Sequence, residues 1–219
     1  PDRNSIAYNS GIGGNAEIFI LDLENMQTIN ITNNPAKDWE PNWSPDGSQI
    51  VFFTDRDGFS EIYTLMLDSL ATQRLTTSDF YERQPVWSPD GNQIAFSSDQ
   101  DGDWEIFLMD KNGMNEINLT NNEVFDLGPA WSPDGSMLVY ASKLGDHWEI
   151  FSMDISTRIA TRLTDNQAND LNPVWSPDGK KIAFQSDRDG NLEIYIMNAD
   201  GSEQVNITNH SANDYNPDW

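Results

Sequence analysis

The sequence predicts an all-β fold, a five-bladed β-propeller, and three observations carry that prediction. Tryptophan returns every 44 residues without a slip, at Trp43, Trp87, Trp131, Trp175 and Trp219. A fixed period of that size, filled with strand-like sequence, marks propeller blades. Turn signals cut each copy into four short segments, and the 219 residues fall one short of five full periods.

The third copy justifies the elements in order. Gln84–Ser88 reads as a first strand, turned by Ser-Pro-Asp-Gly. Proline pre-sets the first central position of a type I turn, and glycine takes the position that needs positive φ. Gln93–Ser98 alternates apolar and polar, as a half-buried strand does. Asp-Gln-Asp-Gly turns the chain into Trp104–Asp110, and Lys-Asn-Gly turns it again into Glu116–Thr120. One copy is therefore one four-stranded antiparallel blade of 44 residues. The blades run 39–82, 83–126, 127–170 and 171–214, with the first made of 1–38 plus a closing strand at 215–219.

That closing strand follows from the two ends. The chain begins inside the repeated motif and finishes on Asn216-Pro217-Asp218-Trp219, a first strand with no blade behind it. The C-terminal strand is expected to pair into the N-terminal blade, beside Asn4–Ser10, Ala16–Asp22 and Thr28–Thr32, and to close the ring. Closure removes exposed strand edges. The alternative is a piece of a larger ring, which would leave two edges open.

Composition narrows the class. Twelve Lys and Arg against 36 Asp and Glu give a net charge of −24. Phosphate binding needs a basic footprint, so nucleic acid is excluded as a partner, and cations or basic proteins are favoured. No cysteine is present, which removes disulfides and thiolate metal sites. No apolar run reaches the ~18 residues of a membrane span, so no membrane insertion is expected. Repeats that touch only their neighbours make a single domain, and a monomer is expected.

Most repeated columns read as structure. The tryptophans pack between blades. Asp2, Asp46, Asp90, Asp134 and Asp178 cap turns. Glu17, Glu61, Glu105, Glu149 and Glu193 open the third strand and accept backbone N–H groups. Thr32, Thr76, Thr120, Thr164 and Thr208 end the outer strand. W-S-P-D-G, then I-A-F-x-S-D-R-D-G-N-x-E-I-Y, then a closing N-I-T resembles the TolB-type propeller repeat. The likeness covers all five copies, and Asn172–Asp200 is close to a consensus copy. The resemblance implies a propeller that presents one face to protein partners, in a periplasmic or secreted setting. The family's best-known member has six blades; this chain has five.

One column invites a functional reading. Asp38, Glu82, Asp126, Asp170 and Asp214 each stand five residues before a tryptophan, at the start of the innermost strand. Ring symmetry would gather them at one mouth of the central channel. At roughly 6 Å spacing each pair repels by about 3 kcal/mol at an effective dielectric of ~20, so a constricted mouth calls for protonation or a bound cation. Hard oxygen ligands suit Ca²⁺, or Mg²⁺ with retained waters. The competing reading is that each acid caps its own loop, beside a proline two residues before each tryptophan. The Asp55-Arg-Asp-Gly, Asp99-Gln-Asp-Gly and Asp187-Arg-Asp-Gly turns read as hairpin turns, since an EF-hand's downstream glutamate is missing.

Variable aromatics are the candidates for a recognition surface. Trp39, Arg83 and Tyr215 follow the acidic column, and Trp104 and Trp148 precede the glutamate column. The function expected is a non-enzymatic binding propeller that offers an acidic face to a protein or other cationic partner. No G-x-S-x-G elbow or phosphate loop appears, and His147 and His210 have no partner motif. A glycoside hydrolase with Glu82 as acid and Asp170 or Asp38 as base is the enzyme alternative; a purely structural domain of a longer protein is the third reading.

Overall fold

The computed structural model describes residues 4–12 and 14–219, and every regular element among them is a β-strand. The strands form five antiparallel sheets, the blades of a five-bladed propeller. The first holds β1 (Ser5–Ser10), β2 (Glu17–Asp22) and β3 (Gln27–Asn30). The second runs β4 (Asp38–Trp43), β5 (Gln49–Thr54), β6 (Glu61–Met66) and β7 (Thr72–Arg74). The third holds β8 (Glu82–Trp87), β9 (Gln93–Ser98), β10 (Glu105–Asp110) and β11 (Ile117–Asn118). The fourth holds β12 (Asp126–Trp131), β13 (Met137–Leu144), β14 (His147–Asp154) and β15 (Ala160–Arg162). The fifth holds β16 (Asp170–Trp175), β17 (Lys181–Ser186), β18 (Glu193–Asn198) and β19 (Val205–Asn206). Neighbours in sequence are neighbours in each sheet. The chain divides into two compact units, Pro1–Gly102 with Phe107–Asn118, and Asp103–Ile106 with Leu119–Trp219.

Among the described residues the first sheet has three strands, and residues 213–219 carry no strand. Ile50, Ile94, Leu138 and Ile182 pair with the blade's tryptophan and are 0%, 0%, 1% and 0% exposed, whereas the equivalent Ile6 is 48% exposed and Trp219 is 51% exposed.

Turn chemistry repeats faithfully. Ser44 Oγ donates to Asp46 Oδ1 at 2.7 Å and the Gly47 amide donates to the Ser44 carbonyl at 2.9 Å. Asp90, Asp134 and Asp178 are bound in the same way by Ser88, Ser132 and Ser176. Those bonds hold Asp46 and Asp134 down to a pKa of about 2, the serine hydroxyl being the main cause. Asp2 lies outside the described residues.

The innermost strands carry a bulge that the sequence hides. Register slips between Trp39 and Asn42, Arg83 and Val86, Leu127 and Ala130, and Leu171 and Val174. The bulged residue has positive φ in each case: Glu40 (51°), Gln84 (56°), Gly128 (67°) and Asn172 (52°). Asn216 shares it at 51°, so the unpaired C-terminal segment keeps the first-strand conformation. An extra residue bends the strand and re-aims side chains. The acid before the bulge and the tryptophan after it are thereby aimed independently.

Within each unit the core sits between consecutive sheets. In the first unit Trp87 packs with Val51 and Ile62 of the second sheet and Ile94, Phe96 and Phe107 of the third. In the second unit Trp175 packs against Val139, Ile150, Ile182 and Phe184. Gly113 turns β10 into β11 with φ +79°, and a Cβ there would stand 2.4 Å from the Leu75 carbonyl oxygen. A backbone atom cannot swing aside as a side chain can. Gly113→Ala is expected to cost about 2 kcal/mol or more through overpacking and positive-φ strain, and to lower the melting temperature by several degrees in calorimetry.

Candidate functional site

Each blade buries a glutamate at the start of its third strand, and that carboxylate organises the loop that follows. Glu17, Glu61, Glu105, Glu149 and Glu193 are at most 4% exposed. Each accepts a hydroxyl hydrogen bond from the threonine that ends the outer strand, at 2.5 Å from Thr32, 2.7 Å from Thr76 and 2.5 Å from Thr164, and likewise from Thr120 and Thr208. The threonine oxygen in turn accepts the amide of the residue after the glutamate, as Ile106 N to Thr120 at 3.0 Å. The second carboxylate oxygen takes a loop amide: Asn34 (3.1 Å), Asn122 (2.7 Å), Asn166 (2.9 Å) or His210 (3.0 Å). Two oxygens thus pin an outer strand and a loop at once.

The pinned loop then holds the acid of the next first strand. Asn34, Asn122 and Asn166 donate from Nδ2 to Asp38 (2.7 Å), Asp126 (2.6 Å) and Asp170 (2.6 Å), four residues on. Ser78 Oγ donates to Glu82 at 2.6 Å, and His210 Nε2 lies 3.2 Å from Asp214. Asp38, Glu82, Asp126 and Asp170 are fully buried, and Asp214 is partly exposed. Each acid is engaged by its own loop. No group of three or more acidic or imidazole side chains able to hold a metal ion is found among the described residues.

Neutralisation separates the blades. In the second blade Arg56 Nη2 reaches Asp38 at 2.9 Å, and its guanidinium lies 4.6 Å from the Tyr63 ring centre. In the fifth, Arg188 reaches both oxygens of Asp170, at 3.1 and 3.0 Å, over Tyr195 at 4.4 Å. These arginines come from the Asp-Arg-Asp-Gly turns, whose third residues, Asp57 and Asp189, accept the hydroxyls of those same tyrosines. Blades three and four place Gln100 and Leu144 there. Their acids keep an oxygen without a hydrogen bond, Oε2 of Glu82 and Oδ1 of Asp126. Burial pushes Glu82 up to about 8, with nearby Glu61 adding to the rise, and burial raises Asp126 as well.

The recognition candidates have separate fates. Trp39 is half-buried and stacked on Phe53, ring centres 5.1 Å apart, with Lys37 over it at 5.8 Å. Arg83 lies over Tyr81 at 5.9 Å. Trp39 and Arg83 line one pocket of about 430 Å³ with Phe53, Asp55, Ser60 and Tyr81. Trp148 packs onto the core of the second unit. Trp104 is half-buried and its carbonyl takes the Asp126 amide at 2.6 Å. Tyr215 is 57% exposed and accepts from Asn213. Sequence reasoning missed Phe80, Tyr81 and Phe125, which are 42%, 42% and 40% exposed on the loops that lead into the first strands of the third and fourth blades. The signal was in two adjacent columns: Phe80 aligns with Ala36 and Ala168, and Tyr81 and Phe125 align with Lys37 and Asn169.

The family model for the TolB beta propeller domain matches residues 1–148 and 121–219. The chain belongs to the TolB β-propeller family. Its fold is similar to that of a putative TolB from Agrobacterium tumefaciens, at 27% identity and a TM-score of 0.83, over 97% of this chain and 74% of that one. TolB from Acinetobacter baumannii matches at 23% identity and a TM-score of 0.80, over 93% of this chain and 52% of that one, so the chain spans about half of that protein. An oligogalacturonate lyase in complex with manganese shares the fold at 18% identity and a TM-score of 0.75, over 94% of this chain and 62% of that one.

The buried acids predict opposite responses to pH and to arginine. Between about 4.5 and about 8 the unfolded chain has lost the Glu82 proton while the folded chain keeps it, so stability falls as pH rises through that window. Glu82→Gln should flatten that decline in melts at pH 5 and pH 8. Leu144→Arg should place a guanidinium on Asp126 as Arg188 does on Asp170, and raise the melting temperature more at pH 8 than at pH 5.

Proposed function

We propose that this chain is a non-enzymatic binding propeller that engages a basic protein partner through the loops leading into its first strands. The observation that carries the reading is the exposure of Phe80, Tyr81 and Phe125 on loops held by buried or turn carboxylates, Phe125 through the Asn122 amide on Glu105 and Tyr81 through its own amide on Asp99. Rigidly presented aromatics in an acidic surround are the makings of a protein contact: the ring supplies burial, the net charge of −24 supplies attraction for a basic surface. A cation at the acidic column is not needed in this reading, because Asn34, Asn122, Asn166 and the arginines already hold those acids. The glycosidase alternative has one feature in its favour, the raised pKa of Glu82, which a general acid requires. Its base candidates, Asp38 and Asp170, are each tied to an arginine, which opposes their use as a free base.

Selection of a random peptide library against the protein at physiological salt tests the reading. Enrichment of basic peptides whose binding weakens about tenfold or more in Phe80→Ala or Phe125→Ala is the expected result. Failure to enrich any peptide, together with turnover of an aryl glycoside panel that Glu82→Gln abolishes, would replace it with the enzyme.

A further inference from the structure

The Ser-Pro-Asp-Gly turns of neighbouring blades enclose pockets, and two of these are built from the same repeat positions. In the second unit a pocket of about 620 Å³ lies between the turns of the fourth and fifth blades, lined by Pro133, Asp134, Met137, Trp175, Asp178 and Ala199. In the first unit its counterpart, between the second and third blades, holds about 210 Å³. It is lined by the matching Pro45, Asp46, Gln49, Trp87, Asp90 and Lys111. Lys111 and Ala199 stand in one column, two periods apart. The indole walls differ in step: Trp87 is 6% exposed, while Trp175 is half-buried. A lysine stem covers apolar surface while its ammonium stays wet. The larger pocket has alanine in that place and keeps its wall open.

The lining of the larger pocket suits the side chain that its counterpart already holds. Trp175, Met137, Pro133 and Pro177 give apolar walls for a methylene stem, and Asp134, Asp178 and Asp200 bring negative charge to the same pocket. All three carboxyls are held below the usual carboxylate range, chiefly by the hydroxyls of Ser132, Ser176 and Ser202, Asp134 down to about 2. They are therefore ionised at neutral pH. The serines donate to Oδ1 in each case. Lys180 Nζ lies 3.2 Å from Asp178 Oδ2. Among the described residues this leaves Asp134 and Asp200 to an incoming cation. An indole face beside carboxylates favours an ammonium over a neutral head of the same length.

We propose that this pocket receives a lysine side chain of a protein partner, its stem against Trp175 and its ammonium among Asp134, Asp178 and Asp200. The proposal adds a second contact to the binding reading and does not depend on Phe80 or Phe125. The turn that follows Trp131 stands at the end of β12, whereas Phe125 precedes its first residue, Asp126.

The test uses the whole chain and Nα-acetyl-L-lysine methylamide as probe, followed by ligand-observed NMR. Nα-acetyl-L-norleucine methylamide, with the same stem and no charge, is the comparison. The lysine probe should bind about tenfold or more tightly than the norleucine probe, and should weaken as salt is raised. Ala199→Lys, which fills the place from within as Lys111 does in the third blade, should abolish binding and leave the melting temperature equal or higher. Asp200→Asn keeps an acceptor for Ser202, removes one charge, and should weaken binding a few-fold. Absence of lysine-probe binding, equal binding of the two probes, or full binding by Ala199→Lys overturns the subsite. Basic peptides that depend on Phe80 and Phe125 would then still support the broader reading, whose own failure shows instead as a library that enriches nothing.

Discussion

The structure depends on a buried carboxylate that cannot be left unpaired. Each blade takes a glutamate out of water at the start of its third strand, and an ionised group there is tolerated only with strong donors on both oxygens. The threonine hydroxyl supplies one, and a loop amide supplies another in every blade but the second, where Arg74 takes its place on Glu61, so the outer strand and, in those four blades, the following loop are fixed by the same demand. The outer strands are short, two to four residues. Such strands have few ladder bonds of their own, and the threonine contact anchors their ends.

From that anchor the rest follows along the chain. The pinned loop delivers an asparagine, serine or histidine to the next acid, and the acid fixes the start of the innermost strand. The bulge after it turns the tryptophan toward the neighbouring sheet, where it meets isoleucine and phenylalanine side chains. Backbone and side-chain bonds then tie consecutive first strands within a unit, as Gln84 N to Glu40 Oε2 at 3.1 Å and Asn172 Nδ2 to Asn216 Oδ1 at 2.7 Å. The proposed contact uses what this framework leaves exposed, the aromatic side chains Phe80, Tyr81 and Phe125 on the loops before the first strands.

The blade plan was legible because each element has its own chemical signature, tryptophan period, Ser-Pro-Asp-Gly turns and alternating second strands. The bulge was not, because four of its five positive-φ residues are Glu, Gln or Asn and carry no glycine signal. The closing strand was inferred from the ends of the chain, and Asp214–Trp219 has the right residues and the bulge conformation without strand pairing among the described residues. For the site, the acidic column was legible as a column, but the arginine that neutralises it comes from a turn 18 residues on, present in two blades and replaced by Gln100 and Leu144 in two others. Trp39 and Arg83 were legible as variable residues; that they line one pocket with Phe53, Ser60 and Tyr81 was not.

The central claim is that the buried glutamate, held in place by its threonine, fixes the loop that carries the exposed Phe125. Hydrogen exchange of Thr120→Val tests it most directly, since valine keeps the shape and removes only the hydroxyl that ties Glu105 to the Ile106 amide. Amides of Ile106 and of residues 121–126 should exchange many-fold faster than in the wild type, while those of β17 and β18 stay protected. Unchanged exchange across 121–126 would contradict the account and leave the loop held by something other than the buried carboxylate.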